Sequence, residues 1–173
     1  MAGWGGFAAL APRIAEVFAR RHRASALCFL GTLRPDGGPR ISPMEPRFFE
    51  GELWVAGMPG TVKFTDLARD PRFTLHTATV DPHVAEGDAK VWGTVEDVAD
   101  AALHQRLAED LYAETGLDIR GQAFDHCFRA EITGASAVAV GGGHLDVTTW
   151  REGHAERRVR RSTGATVGAP IRR

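Results

Sequence analysis

Arg40 and Ser42 stand two residues apart in a stretch punctuated by Pro39, Pro43 and Pro46. Proline cannot donate to a ladder, so such a stretch suits a sheet edge or a bulge. On an extended strand, positions two apart share a face. A guanidinium fork and a hydroxyl can then reach one cluster of anionic oxygens. Further on, Gly60-Thr61-Val62-Lys63 places small or hydroxylated residues and a lysine where a helix begins, and the free N–H groups of a helix start favour phosphate. The same residues admit a plainer reading: Arg40 and Lys63 as solvated charges, Thr61 as a cap and Ser42 as an ordinary strand hydroxyl.

The elements around them must bring the two groups together. Residues 24–33 form an apolar run of strand length, closed by Arg34-Pro35-Asp36-Gly37-Gly38, a turn composition. The extended stretch 39–49 follows, and Glu50-Gly51 separates it from Glu52-Leu53-Trp54-Val55-Ala56-Gly57. A hairpin here would return residues 57–63 toward Arg40. A short helix with Thr61 as N-cap then ends before Asp70-Pro71, where proline blocks continuation.

Elsewhere, Ile14, Ala15, Val17 and Phe18 recur at helical spacing over residues 12–23, with Pro12 in the first turn. Residues 73–80 and 89–98 alternate like strands around a polar loop at 81–88. Leu103, Leu107 and Leu111 mark a helix between a cap at Asp100 and a stop at Gly116. Residues 128–132, 135–140 and 145–150 read as three more strands, with Gly141-Gly142-Gly143 as a flexible connector and a last hairpin turn at 151–154. Many short antiparallel strands with few helices suggest a mainly β, α+β protein built as a closed or nearly closed barrel, since closure removes exposed edges. One domain over residues 1–161 is expected, with a flexible tail at 162–173.

Bulk properties exclude several functions. The 173 residues are 43% hydrophobic and carry a formal net charge of −1, which gives no global pull toward nucleic acid or an anionic membrane. No apolar run approaches the length of a membrane span. The first residues lack a secretory signal pattern, so the expected location is the cytoplasm. Cys28 and Cys127 are too few for a disulfide framework and read as reduced and buried. Seven histidines are scattered without metal-ligand spacing, so no metal site is expected. The arginines from Arg151 to Arg161 are diluted by Glu152 and Glu156 and read as the solvated face of a last edge strand. There is no G-x-S-x-G, no P-loop and no complete Rossmann fingerprint.

Three segments together resemble a known family: G-T-L-R-P-D-G-G-P-R-I-S-P at 31–43, E-L-W-V-A-G-M-P-G-T-V-K at 52–63 and L-A-R-D-P-R-F-T-L-H at 67–76. They are similar to the pyridoxamine 5′-phosphate oxidase-like, FMN-binding split β-barrel family. D-A-K-V-W-G-T-V at 88–95 and L-D-V-T-T-W-R-E-G at 145–153 resemble an actinobacterial-type branch of it. The resemblance runs over residues 24–161 and implies an antiparallel split β-barrel of about six to eight strands with flanking helices. It further implies a homodimer with two cofactors at its interface. Carried onto this chain, it makes Arg40, Ser42, Met58, Thr61, Val62 and Lys63 the cofactor anchors, with Trp92 and Trp150 bordering the ring from the partner chain or packing at the interface.

Departures from the family pattern also carry information. The basic motif after strand two and the closing Arg-Leu-x-Pro segment of the true oxidase are missing, which disfavours oxidation of pyridoxamine phosphate. Relatives of the same barrel use the deazaflavin coenzyme F-420 in place of FMN, and phosphate anchors do not separate the two. The expectation is an oxidoreductase in which FMN or the deazaflavin transfers hydride to or from a small organic substrate. The alternatives are a flavin-storing protein without catalysis and a haem-binding barrel. No obligatory catalytic side chain follows.

Overall fold

A computed structural model describes residues 2–77 and 83–162. Four helices and nine strands follow one another: α1 (Trp4–Leu10), α2 (Pro12–Ser25), β1 (Cys28–Leu33), β2 (Pro39–Met44), β3 (Arg47–Phe49), β4 (Glu52–Ala56), α3 (Val62–Arg69), β5 (Arg72–Thr77), β6 (Asp88–Asp97), α4 (Ala101–Thr115), β7 (Cys127–Gly141), β8 (His144–Arg151) and β9 (Arg157–Ser162). The strands form one antiparallel sheet in the order β2-β1-β5-β6-β7-β4-β3, with β8 on β7 and β9 on β8. β7 creates the split. Its first residues pair with β4, its residues from Gly134 onward pair with β8, and β6 runs along most of its length.

The long β6–β7 ladder bends at a bulge between Trp92 and Gly93. A Cβ on Gly93 would stand 2.0 Å from the Glu131 carbonyl oxygen, so only glycine lets the two backbones approach this closely. The expected break between 132 and 135 is therefore no break, and the two predicted strands are one. The glycine connector is a tight hairpin turn, with Gly142 and Gly143 both at positive φ, as two-residue turns of this hand require.

Apolar side chains from α1, α2 and the inner sheet face make the main core, with Phe7, Ile14 and Phe18 against Leu30, Leu75, Val91 and Ile132. A second cluster of Trp54, Leu103, Leu107 and Cys127 lies under α4. Asp100 caps α4 by accepting from the N–H groups of Ala102 and Leu103, and Gly116 ends it at φ 76°. Both cysteines are free and buried, and desolvation pushes their thiols up to about 12.

Helix α1 has no counterpart in the sequence expectations. Seven residues with two glycines have poor intrinsic helicity. Tertiary contacts supply what propensity lacks: Phe7 packs on Trp150, Trp4 on Phe48, and Glu52 accepts from the Trp4 N–H at 2.8 Å. Helix α2 continues to Ser25, so the first strand begins only at Cys28. The extended stretch 39–49 divides at Glu45-Pro46 into β2 and β3. Expected strand residues 78–80 and most of the expected tail, 163–173, lie outside the described residues, while Ser162 closes β9.

Candidate functional site

The hairpin turn at Glu50 and Gly51, φ 49° and 76°, joins β3 to β4, not β2 to β4. β2 pairs with β1, at the other end of the strand order. The turn after β4 nevertheless reaches β2, because α3 carries it there. Lys63 Nζ donates to the Pro43 carbonyl at 3.0 Å, and Arg40 Nε donates to Asp66 Oδ2 at 2.6 Å. Contacts thus run from α3 to β2 and from β2 to α3, and a helix makes the connection where a hairpin was invoked.

Asp66 is the centre of this joint. It is 2% exposed and accepts from Thr32 Oγ1 on β1 at 3.0 Å as well as from Arg40, with Arg69 Nη2 3.7 Å from Oδ1. Burial alone pushes its carboxyl up. The hydrogen bonds from Arg40 and Thr32 and the charges of Arg40 and Arg69 outweigh that and hold it below the ordinary value. Arg40 spends its Nε on this contact. Among the described residues, its terminal nitrogens have no hydrogen-bond partner.

The N-terminus of α3 is open. Thr61 occupies the N-cap position with extended backbone, φ −78° and ψ 137°, yet its side chain caps nothing. Its Oγ1 is buried and has no hydrogen-bond partner, an uncommon state for a hydroxyl. The Thr61 carbonyl serves Phe64 and Thr65, while the N–H groups of Val62 and Lys63 have no backbone partner among the described residues. Gly60, at φ 70°, turns the chain into the helix. Its N–H donates to Asp125 Oδ2 at 2.9 Å.

Of the predicted anchors, Met58, Thr61, Val62 and Lys63 share this turn, with Met58 77% exposed. Ser42 shares the half-buried face of β2 with Arg40, beside Pro43 and its lysine contact. The tryptophans lie elsewhere. Trp92 crosses Gly134, where a Cβ would meet its indole at 2.4 Å, on the sheet face opposite the main core. Trp150 is 1% exposed and stacks edgewise on Phe7 at 5.3 Å. It is a core residue of its own chain, because alternation along β8 turns it inward at Ala135.

A groove of about 1070 Å³ opens beside the turn. Its lining includes Met58, Pro59 and Lys63, Pro43 and Met44, and Leu117, Ile119 and Phe124. This is the size and largely apolar character of a small-molecule site.

Two aspartates were missed by sequence reasoning. Asp66 carried a signal: an acid beside Phe64 and Leu67 on the buried face of a short helix needs a cationic partner. Asp125 carried none, since it reaches the turn from a connection 65 residues away in sequence. His126, next to it, has Nδ1 2.6 Å from Asp97 Oδ2 and stacks on Phe128 at 5.2 Å. The late arginines behave as the sequence suggested, with Arg158 and Arg160 both paired to Asp146 across the β8–β9 ladder.

The chain matches the pyridoxamine 5′-phosphate oxidase family over residues 14–137, well over half its length. Among curated proteins none matches it. Among solved structures it is similar to the conserved hypothetical protein Rv2991 from Mycobacterium tuberculosis, at 20% identity over 71% of this chain and 82% of that one, TM-score 0.59. PhzG from Burkholderia lata 383, in complex with tetrahydrophenazine-1-carboxylic acid, is 10% identical over 88% and 93% of the two chains, TM-score 0.64. A heme binding protein from Mycobacterium smegmatis is 23% identical over 77% of this chain and 57% of that one, TM-score 0.56. At these identities the likeness is one of fold.

Proposed function

Because the chain belongs to the pyridoxamine 5′-phosphate oxidase family, we propose that it is an oxidoreductase binding a flavin-type cofactor, FMN or the deazaflavin F-420, by its phosphate at the start of α3. The observation that carries this reading is the buried Thr61 Oγ1 without a partner, set beside two unpaired N–H groups and Lys63. That is a donor set waiting for an anion. Arg40 supplies its free nitrogens from β2, and Ser42 borders the same face.

The cofactor when bound supplies hydride transfer; the chain supplies position and dryness. Asp66 fixes the Arg40 fork, Lys63 is held by the Pro43 carbonyl, and the groove beside Met58 receives the ring system and a small organic substrate. The proposal places this chemistry in a homodimer. Its support is the outer sheet face, where Ile41 (75% exposed) and Phe29 (40%) lie in adjoining rows with Thr74 and Trp92. Exposed apolar side chains on a sheet face suit contact with a second copy, and Trp92 would then meet the partner.

No helix among the described residues is long and apolar enough to cross a membrane. Cytoplasmic residence and the extent of the domain, 1–161, are part of the proposal.

An absorbance spectrum of purified protein, followed by titration with FMN and with the deazaflavin, tests the reading. Saturable binding of either, dependent on its phosphate, is the expected result. Binding of neither would remove it, and a Soret band in place of flavin absorbance would assign the barrel to haem. Turnover assays with the reduced cofactor and a panel of enones and quinones separate an oxidoreductase from a storage protein.

A further inference from the structure

His22, in the last turn of α2, lines the same groove as Met58 and Lys63. Its Nε2 lies 2.6 Å from the Pro46 carbonyl oxygen. A carbonyl only accepts, so Nε2 is the nitrogen that keeps its proton when the ring is neutral. Phe48 meets the ring edgewise, with centroids 4.9 Å apart, and is itself packed on Trp4 and Phe18. The ring is thus held at one nitrogen and along one edge. Nδ1 has no hydrogen-bond partner among the described residues, and on this half-buried side chain it is not sealed from solvent.

We propose that His22 is the proton donor of this site and that the substrate is a conjugated carbonyl compound, an enone, whose reduction consumes a proton together with hydride. The inference rests on the oxidoreductase reading, which supplies the reduced cofactor as hydride source. Hydride arriving at the β-carbon drives the π electrons onto the carbonyl oxygen as an enolate. The imidazolium gives its Nδ1 proton to that enolate, leaving a saturated carbonyl compound, a neutral imidazole and an oxidised cofactor. The Nε2 proton stays on the Pro46 carbonyl before and after, so the ring passes from acid to base without turning, and solvent restores the proton to Nδ1.

The other ionisable groups of the groove suit this step less. Arginine does not release its proton, which sets aside Arg23 on α2 and Arg47 on β3; Arg47 is also paired with Asp110 and Glu114 of α4. Lys63 is bonded to the Pro43 carbonyl and assigned to the phosphate. Glu45, beside Pro46, and Glu114 are the acidic groups of the lining. Histidine is the residue type among them that exchanges a proton near neutral pH.

The test compares wild type with His22→Gln, each loaded with the cofactor that binds, on an enone and on a quinone. A quinone takes hydride on oxygen to give a hydroquinone anion, so its reduction needs no acid in the transfer step. Enone turnover should fall about a hundredfold in the variant, quinone turnover by about threefold or less, and cofactor affinity should hold. Wild-type enone turnover should decline as pH rises through the range in which histidine titrates, and the variant should lose that limb. A second readout needs no cofactor. Two-bond proton–nitrogen spectra of histidine-labelled protein, with His22 assigned by its absence from the variant, should show neutral His22 protonated on Nε2, and phenol, as an enol analogue, should shift Nδ1. Neutral His22 protonated on Nδ1, equal losses for enone and quinone, or no loss would overturn the role of His22. Bound cofactor with quinone turnover but no enone turnover in wild type would overturn this inference and leave the oxidoreductase reading standing. Turnover of neither substrate would remove both.

Discussion

Arg40 Nε and Asp66 Oδ2 stand 2.6 Å apart, joining β2 to α3 with the carboxylate almost wholly out of solvent. One contact thus both holds the helix on the barrel and aims the guanidinium, so the two roles of Arg40 have to be separated experimentally.

Arg40→Ala leaves Asp66 buried beside Thr32 with its main cation gone. Loss of about 3 kcal/mol of folding stability is expected in denaturant unfolding. Arg40→Lys keeps a charge for Asp66 but loses the fork. It should retain most of the stability while weakening cofactor binding by about 1.5 to 3 kcal/mol in calorimetry. Unchanged affinity in Arg40→Lys would take Arg40 out of the site.

Lys63→Ala removes a lysine whose hydrogen bond is to the Pro43 carbonyl at the surface. Melting temperature should stay within a few degrees, whereas cofactor affinity should fall by about 1.5 to 3 kcal/mol. A large drop in melting temperature with affinity intact would make the lysine structural.

The Asp66 carboxyl titrates below its ordinary value in the folded protein, so its stabilising effect is fully present above the unfolded value near about 3.9. It is lost as pH falls through the lower folded value. Urea unfolding across pH should therefore show Asp66→Asn less stable than wild type by about 2 to 3 kcal/mol at neutral pH. The gap should close below about pH 4. A gap independent of pH would mean that packing, not charge, sets the contribution of Asp66.

Ile41→Asp places a charge on the outer face of β2, where Ile41 is exposed, without touching the core. Light scattering should show a dimer for wild type and a monomer for the variant, with circular dichroism unchanged. A wild-type monomer at working concentration would remove the interfacial part of the proposal.

Both thiols are buried and pushed up to about 12, so native protein at neutral pH should resist alkylation while unfolded protein takes up label at Cys28 and Cys127. Rapid labelling of either in the native state would contradict their burial.

The sequence by itself determined the local elements with strong local causes. Pro12, Asp100, Gly116 and the leucines of α4 placed helix boundaries through capping and periodicity, and Glu50-Gly51 placed a hairpin. It also singled out the side chains now proposed to meet a phosphate, because residue type and spacing near Arg40 and Lys63 are local facts. Tertiary structure decided what depends on distant partners. α1 exists through Phe7 and Trp4 packing that no propensity announces. One continuous β7 exists because Gly93 allows close approach to Glu131. Trp150 lies in the core because its face is set by its register with β7. The helix that follows the turn at Gly60 meets Arg40 through Asp66, and Asp125 meets Gly60 from across the chain. Pairings of this kind arise from packing between distant segments, and short-range periodicity carries no record of them.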